Sequence, residues 1–409
     1  MQPCLLRHKP PSQLLLSNQG NISSAGNCER RNAIPVIYTS GTYYEVGFDV
    51  GRTFRGLIQD YLASSVWLRE TLLPAYETEA GRAAYDETLP VLKENFPQYL
   101  RELQGTADGA QVPFLHLVLL HMDRIMTMAG QVEQQPCSSD LNGCSDLSIN
   151  REDQVLLGHT EDTFEEMMNY LYLVSATISE EAPEGRLGTR TESFTALCYS
   201  GHLPGVCLGY NRHGLVSAIN DIVPLKVFPA RTPPHFLCRA LLSATSVEAA
   251  HDILRDRGTG GADGFGVNMI FMRPDGGHVF QNVEVGTAGA GDENPLSIVT
   301  LSVGEHYFHA NRYLHLTGIP EKSGPPEASS EHREVRASQF PAPKNLADLL
   351  EVLSDTKDPV FPIFKEKPQL TPSSTLALGV FDLVKKTLAV WMKNPRKAGP
   401  VMEIPLHFN

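Results

Sequence analysis

Along this chain, apolar positions recur at helical spacing up to about residue 130 and at strand spacing after about residue 144. The first apolar run, Ile34-Pro35-Val36-Ile37-Tyr38, reads as a short strand, and Thr42-x-x-Glu45 supplies a capping box for a helix behind it. That helix carries Gly47 and Gly51 on one face, which costs helix propensity and so predicts close backbone packing against another element. Further helical patterns run through about 57–73, 82–104 and 114–128, the second continuing as PQYLRELQGTADGA. The first 130 residues therefore read as mainly α.

After Cys144 the runs shorten. QVLLGHTED, YLYLVSATI, FTALCYSG, GVCLGYNRHG and GLVSAIND read as consecutive antiparallel strands separated by Gly, Pro and Asn. A helix follows at about 235–256, with a break and a second capping box at Thr245-x-x-Glu248. NMIFMRP and HVFQNVEV flank Asp275-Gly276-Gly277, a hairpin turn. LSIVTLS, HYFHANRYL, TLALGVFDLV and TLAVWMK read as later strand segments, and about 318–345, with five prolines, reads as a long loop or extended excursion that could shape a site. Helices, strands, a helix pair and strands again favour an α+β layered fold over a doubly wound parallel sheet, and no internal repeat is found.

Composition narrows the class. In 409 residues with 42% hydrophobic content there is material for a substantial core. A net charge of -13 argues against nucleic acid or anionic membrane as partner and tolerates a cationic substrate. Seven cysteines without a C-x-x-C spacing indicate neither a disulfide framework nor a structural zinc site, and a reducing, cytoplasmic setting fits them best. Leu14-Leu15-Leu16 is too short for a signal peptide core, and no apolar stretch reaches the ~18 residues of a membrane span. Residues 1–33, rich in Ser, Asn, Gln and Pro, read as a disordered tail.

The dipeptide Gly143-Cys144 carries the candidate chemistry. If that bond breaks, Cys144 holds a thiol and a free α-amine, and an amine of pKa roughly 7.7 to 8.0 can take the proton of its own thiol. Gly-Cys alone is common by chance at 33 Gly and 7 Cys, so its surroundings must decide. Eighteen residues on, in Gly158-His159-Thr160-Glu161-Asp162, a strand returning beside Cys144 would bring Asp162 to a liberated ammonium or substrate amine, with His159 orienting either. Taken alone, Asp162 and Glu161 read rather as solvated turn carboxylates, and His159 as an ordinary partly buried histidine. Asn220, after a strand, and Asn311, in Phe308-His309-Ala310-Asn311-Arg312, could donate to a developing oxyanion or could simply form turns.

Seven segments bear on that choice: YYEVGFDVGRTF, YLRELQGTADGA, NGCSDL, GHTED, YSGHLPGVCLGYNRHGLVSAIN, FLCRALLSATSVEAA and YFHANRYL. In these, and in their order over about 35–315, the chain resembles the cysteine-type N-terminal nucleophile hydrolases, in the group containing acyl-CoA:6-aminopenicillanate acyltransferase and insect β-alanyl-dopamine hydrolase. The resemblance implies a four-layer αββα sandwich with two packed antiparallel sheets. It implies autocatalytic cleavage at Gly143-Cys144, which divides a helical α chain (34–143) from a β-rich catalytic β chain (144–409), both parts of one domain. It places the nucleophile at Cys144, the family aspartate at Asp162, the catalytic asparagine at Asn311 and an oxyanion-type asparagine at Asn220. His159, Glu161 and Ser145 are the implied substrate-binding positions. His159 departs from the arginine many relatives carry there, and Ala310 and Arg312 replace a common threonine and histidine.

The YEVGFDVGRTF region is most similar to the β-alanyl-dopamine hydrolase branch. This implies a small-molecule amide substrate, a β-alanyl amide of a biogenic amine such as dopamine or histamine, cleaved to free amine and β-alanine with no metal or organic cofactor. Acyl transfer from a thioester such as acyl-CoA is the alternative within the family. An uncleaved binding protein is the alternative outside it. The processed α and β chains are expected to stay associated, as one heterodimer or a dimer of heterodimers.

Overall fold

The box at Thr42 closes as the sequence predicts: the Thr42 hydroxyl accepts from the Glu45 amide, and Glu45 Oε2 accepts from the Thr42 amide at 2.8 Å. Two amides that a helix start leaves unpaired are thereby satisfied. The computed structural model describes residues 32–130, 143–367 and 373–409. The tail read over 1–33 lies outside the described residues except at positions 32 and 33, as do Cys4, Cys28 and Cys137.

Strand β1 (Val36–Gly41) leads into α1 (Tyr43–Thr53) and α2 (Arg55–Ser64). A π turn at Leu68–Leu72 runs into α3 (Leu73–Glu77), followed by α4 (Glu79–Asn95), α5 (Pro97–Ala110), α6 (Phe114–His121) and α7 (Asp123–Gly130). The single helical pattern at 82–104 is in fact two helices. Pro97 disfavours helical geometry at Phe96 and then opens α5, where its missing N–H costs nothing. The glycine face of α1 does what its cost in propensity implied. A Cβ at Gly47 would sit 2.0 Å from the Glu102 carbonyl oxygen, and one at Gly105 would sit 2.1 Å from that of Tyr44. Only hydrogen fits where α1 and α5 cross.

The strands after Cys144 are β2 (Ser145–Asn150), β3 (Val155–Phe164), β4 (Leu171–Ser179), β5 (Thr191–Tyr199), β6 (Leu208–Asn211) and β7 (Leu215–Ile222). Helices α8 (Pro234–Leu241) and α9 (Val247–Arg255) precede β8 (Gly264–Met272), β9 (His278–Val285), β10 (Leu296–Thr300) and β11 (His306–His309). The chain closes with α10 (Pro325–Ser338), α11 (Leu346–Leu353), β12 (Ser373–Asp382), β13 (Thr387–Trp391) and β14 (Met402–Pro405). Two sheets result among the described residues, one ordered β1-β4-β5-β6-β7-β8-β9-β10 and the other β11-β2-β3-β12-β13-β14.

Four local readings need correction. β3 does not pair with β4; it lies between β2 and β12 in the smaller sheet, while β4 crosses to the larger one. β1 joins β4 in parallel, so the larger sheet is not wholly antiparallel. The cap of α9 is Ser246, whose side chain accepts from the Ala249 amide, not Thr245. Half of the excursion at 318–345 is helical: Pro325 and Pro326 fall in the first turn of α10, where the fixed φ of proline suits a helix start.

The sheets stack face to face. Leu208 of β6 reaches so far toward β12 that a Cβ on Gly379 would lie 2.4 Å from it. On the outer face of the larger sheet, Glu192 of β5 accepts from Tyr43 of α1 at 2.5 Å and from Arg239 of α8 at 2.7 Å. On the outer face of the smaller sheet, Leu349 and Leu353 of α11 cover Gly158 of β3. The architecture is therefore α+β with two packed sheets between helical layers. No helix among the described residues is long and apolar enough to cross a membrane.

Candidate functional site

β2 starts immediately after Cys144 and pairs with β3 so that Ser145 faces Thr160 and Asp146 faces His159. Because side chains alternate along a strand, this register sorts the candidate residues onto two faces. Cys144, Asp146, His159 and Glu161 point into the space between the sheets. Ser145 and Asp162 point to the helix-covered face.

Between the sheets the Cys144 Sγ lies 3.9 Å from Glu161 Oε1, which also accepts from the Tyr199 hydroxyl at 2.5 Å. Glu161 Oε2 is 3.0 Å from His159 Nε2, and His159 Nδ1 is 2.5 Å from Asp146 Oδ1. Asp146 Oδ2 accepts from Asn268 at 2.5 Å. All of these side chains except that of Tyr199 of β5 come from strands β2, β3 and β8 or the residue preceding β2, and all are buried. Burial and Glu161 push the thiol up to about 12, with the His159 ring pulling against them. For His159, burial opposes the charged ring, but Asp146 overrides it and holds the imidazole well above its usual range.

On the other face the amide of Gly143 donates to the Asp162 carbonyl oxygen at 3.1 Å. The Asp162 carboxylate accepts from Thr375 at 2.6 Å and pairs with Lys365 at 3.5 Å. Burial raises the Asp162 carboxyl and lowers both Lys365 and Arg333, each opposed by the opposite charge nearby. Arg333 of α10 donates to the Cys144 carbonyl oxygen at 2.6 Å, to Ser145 Oγ at 3.0 Å and to Asn311 Oδ1 at 2.7 Å. A Cβ at Gly143 would stand 2.7 Å from Lys365 Nζ and 3.2 Å from Arg333. A side chain at 143 would have to push aside the Lys365 ammonium and press on the Arg333 guanidinium.

The remaining candidates take distinct places. The Asn311 side-chain amide donates to the Asp221 carbonyl oxygen at 2.8 Å. Asn220 accepts from Asn268 at 2.9 Å, while its own buried Nδ2 has no partner among the described residues. Asp162 faces Gly143 and Lys365 rather than the thiol. Ser145, read as substrate-binding, faces Arg333 and is not part of the cavity wall. His159, read the same way, sits behind Glu161. Two residues that sequence reasoning missed, Arg333 and Lys365, hold this face together. Nothing local in either segment marks them beyond the expectation that 318–345 could shape a site.

Cys144 and Glu161 open onto a cavity of about 140 Å³. Its walls include the aromatic side chains of Tyr61, Trp67, Phe164 and Phe265, and the carboxylates of Asp123, Glu161, Glu166, Asp221 and Asp263. Among the described residues Arg124 is the single Lys or Arg on the wall, and it is bridged to both Asp221 and Asp263. His202 and His235, also on the wall, are kept neutral by burial. Such a surface has an excess of negative charge and flat apolar faces. Cys144, His159 and Glu161 are also the one trio among the described residues with metal-donor atoms mutually within 4.8 Å.

Residues 149–397 match the family model of acyl-coenzyme A:6-aminopenicillanic acid acyl-transferase, a span that begins just past Cys144 and includes Asp162, Asn220 and Asn311. The chain is 38% identical over 388 residues to the beta-alanyl-dopamine/carcinine hydrolase of Drosophila melanogaster, covering 94% of this chain and 99% of that one. Among solved structures, penicillin V acylase from Agrobacterium tumefaciens matches with a TM-score of 0.36 and 15% identity, over 61% of this chain and 82% of that one.

Proposed function

The chain belongs to the acyl-coenzyme A:6-aminopenicillanic acid acyl-transferase family, and from that premise we propose that it is an amidohydrolase that releases amines from β-alanyl amides through an acyl-Cys144 intermediate. The observation that carries this reading is the position of the Cys144 thiol on the wall of a cavity rich in carboxylates and aromatic rings. A β-alanyl amide of an aromatic amine offers an ammonium at one end and a flat ring at the other. The first suits the acidic wall, the second the aromatic faces.

In this reading the Gly143–Cys144 bond is cut by the chain itself, giving residues 1–143 and 144–409, which remain associated. The freed α-amine takes the thiol proton and the thiolate adds to the substrate amide carbonyl. Collapse expels the amine, which leaves with that proton, and water hydrolyses the thioester to β-alanine. The unpaired Nδ2 of Asn220 is a donor in reserve for the oxyanion, whereas Asn311 acts by holding Arg333 and the Asp221 backbone in register. The reaction requires no metal or organic cofactor.

Acyl transfer from acyl-CoA is the less favoured reading, because a CoA phosphate approaching this wall would meet five carboxylates and a guanidinium already bridged to two of them. The test is incubation with β-alanyl-dopamine, β-alanyl-histamine, or phenylacetyl-CoA plus an amine. Release of free amine and β-alanine without CoA is the expected result. Product formation only from the thioester pair would replace the proposal with the transferase.

A further inference from the structure

We propose that Asp146, His159 and Glu161 form a proton-accepting chain that activates the Cys144 thiol while the Gly143–Cys144 peptide is still intact. The inference rests on the self-processing reading above and deepens it. In a mature chain the α-amine can serve as the base, but before cleavage that nitrogen is a peptide nitrogen whose lone pair is delocalised into the carbonyl. The first cut therefore needs a base from elsewhere in the fold.

The geometry supplies one. The groups facing the thiol between the sheets are Glu161, with Oε1 at 3.9 Å, and His159, whose ring nitrogen lies within 4.8 Å. Asp162 is turned to Lys365, and Arg333 reaches the backbone on the other face. Both nitrogens of His159 lie at hydrogen-bond distance from a carboxylate oxygen, 2.5 Å to Asp146 and 3.0 Å to Glu161. A carboxylate only accepts, so a ring placed between two of them carries hydrogen on both nitrogens and is an imidazolium. Asp146 is itself fixed by Asn268 of β8, and Glu161 by Tyr199 of β5, with Cys207 also facing it. The chain is anchored in both sheets.

The step balances within these residues. The Sγ proton passes to Glu161 Oε1, and the His159 imidazolium pairs with the thiolate left behind. The thiolate adds to the Gly143 carbonyl carbon and the carbonyl electron pair moves to oxygen. Collapse of that oxyanion breaks the C–N bond, and Glu161 returns its proton to the Cys144 nitrogen. A thioester and a free amine remain, and water hydrolyses the thioester to the Gly143 carboxylate and the thiol. Glu161 and His159 act on the reacting sulfur; Asp146 is a positioning residue. The histidine where relatives often carry arginine thus has a function of its own: unlike an arginine, it sits in a chain whose charge can redistribute.

The experiment follows Cys144 in the full chain by iodoacetamide labelling and mass spectrometry between about pH 6 and 9, the range around a free thiol's ionisation. Self-cleavage of newly made chain is timed in parallel. Wild type, Asp146→Asn and His159→Gln are compared, with buried Cys198 and Cys207 reporting the fold because they stay unlabelled while the sheets are intact. Both variants are expected to label and cleave about a hundredfold more slowly, the lower end of what a positioned acid–base group contributes. Labelling is compared on chain that has not yet cleaved, where no α-amine is present to assist the thiol. Variants that keep Cys198 and Cys207 protected yet match the wild-type rate and pH profile overturn the proposal. If a variant exposes those cysteines, Glu161→Gln decides in its place: cleavage about a hundredfold slower with Cys198 and Cys207 protected supports the chain, and cleavage at the wild-type rate refutes it. A wild type that labels faster than both variants but never cleaves defeats the self-processing reading alone, and cleavage at wild-type rates in the variants defeats this inference alone.

Discussion

Arg333 holds the carbonyl oxygen of Cys144 at 2.6 Å across 189 positions of sequence. The same guanidinium reaches Ser145 and Asn311, so one buried side chain ties the start of β2 to the segment after β11. β11 pairs with β2, which places Asn311 beside the same strand end. The backbone just after Cys144 is thereby fixed from a helix as well as from the sheet, while Gly143 before it is held by the Asp162 carbonyl of β3.

Replacing Arg333 with methionine should therefore destabilise the fold by about 3–5 kcal/mol, because Asp162 loses one of its two nearby cations and several buried acceptors lose their donor. Arg333→Lys should recover part of that stability but not the activity, since an ammonium cannot reproduce the fork. Urea unfolding and amide turnover measured on the same preparations check this. Wild-type turnover in Arg333→Lys would show that the fork is not needed.

Asp162 and Lys365 form a buried pair at 3.5 Å beside Gly143. Asp162→Asn alone should cost about 3–5 kcal/mol by stranding the lysine, and the double variant with Lys365→Met should regain most of it. Processing should remain about a hundredfold slower in the double variant, because the polar surroundings of Gly143 are gone even though the core is repaired. Denaturant midpoints paired with electrophoretic cleavage rates separate the two effects. A double variant that cleaves normally would reduce Asp162 to a structural residue.

Much of the scaffold was legible in the sequence, and the reason is that its signals are local. The Thr42–Glu45 box, the glycine face of α1 and the turn at Asp275-Gly276-Gly277 are each decided within a few residues. The turn, for instance, closes with the Arg273 amide on the Gly277 carbonyl at 2.7 Å. Strand assignment to sheets was not legible, because β3 and β4 are neighbours in sequence and members of different layers in space. Within the site, Gly143-Cys144 and the Glu161 segment were visible as a pair, yet which carboxylate faces the thiol depends on a one-residue register. Arg333 and Lys365 became legible only once α10 and the approach to β12 were seen against β2.

Burial lifts the Asp221 carboxyl from its ordinary 3.8 to about 7, against the pull of Arg124. A carboxyl raised in the folded state contributes stability that is fully present below its unfolded value and is lost as pH rises through the folded one. Asp221→Asn should thus flatten the decline in stability between about pH 4 and 7, read as urea midpoints across that range. Since Asp221 is on the cavity wall, its protonation also thins the negative charge there. KM for an ammonium-bearing amide should rise as pH falls below about 7, while an uncharged amide of the same shape changes less. An identical pH response for both substrates would contradict an electrostatic role for this wall.

The most direct test of the central claim is the intact mass and N-terminal residue of each polypeptide in active, purified protein. The account predicts two chains, one ending at Gly143 and the other beginning with a free Cys144, both lost together with turnover in Cys144→Ala. A single unbroken 45.0 kDa chain that hydrolyses β-alanyl amides would contradict it, since the nucleophile would then be working without the α-amine that cleavage supplies.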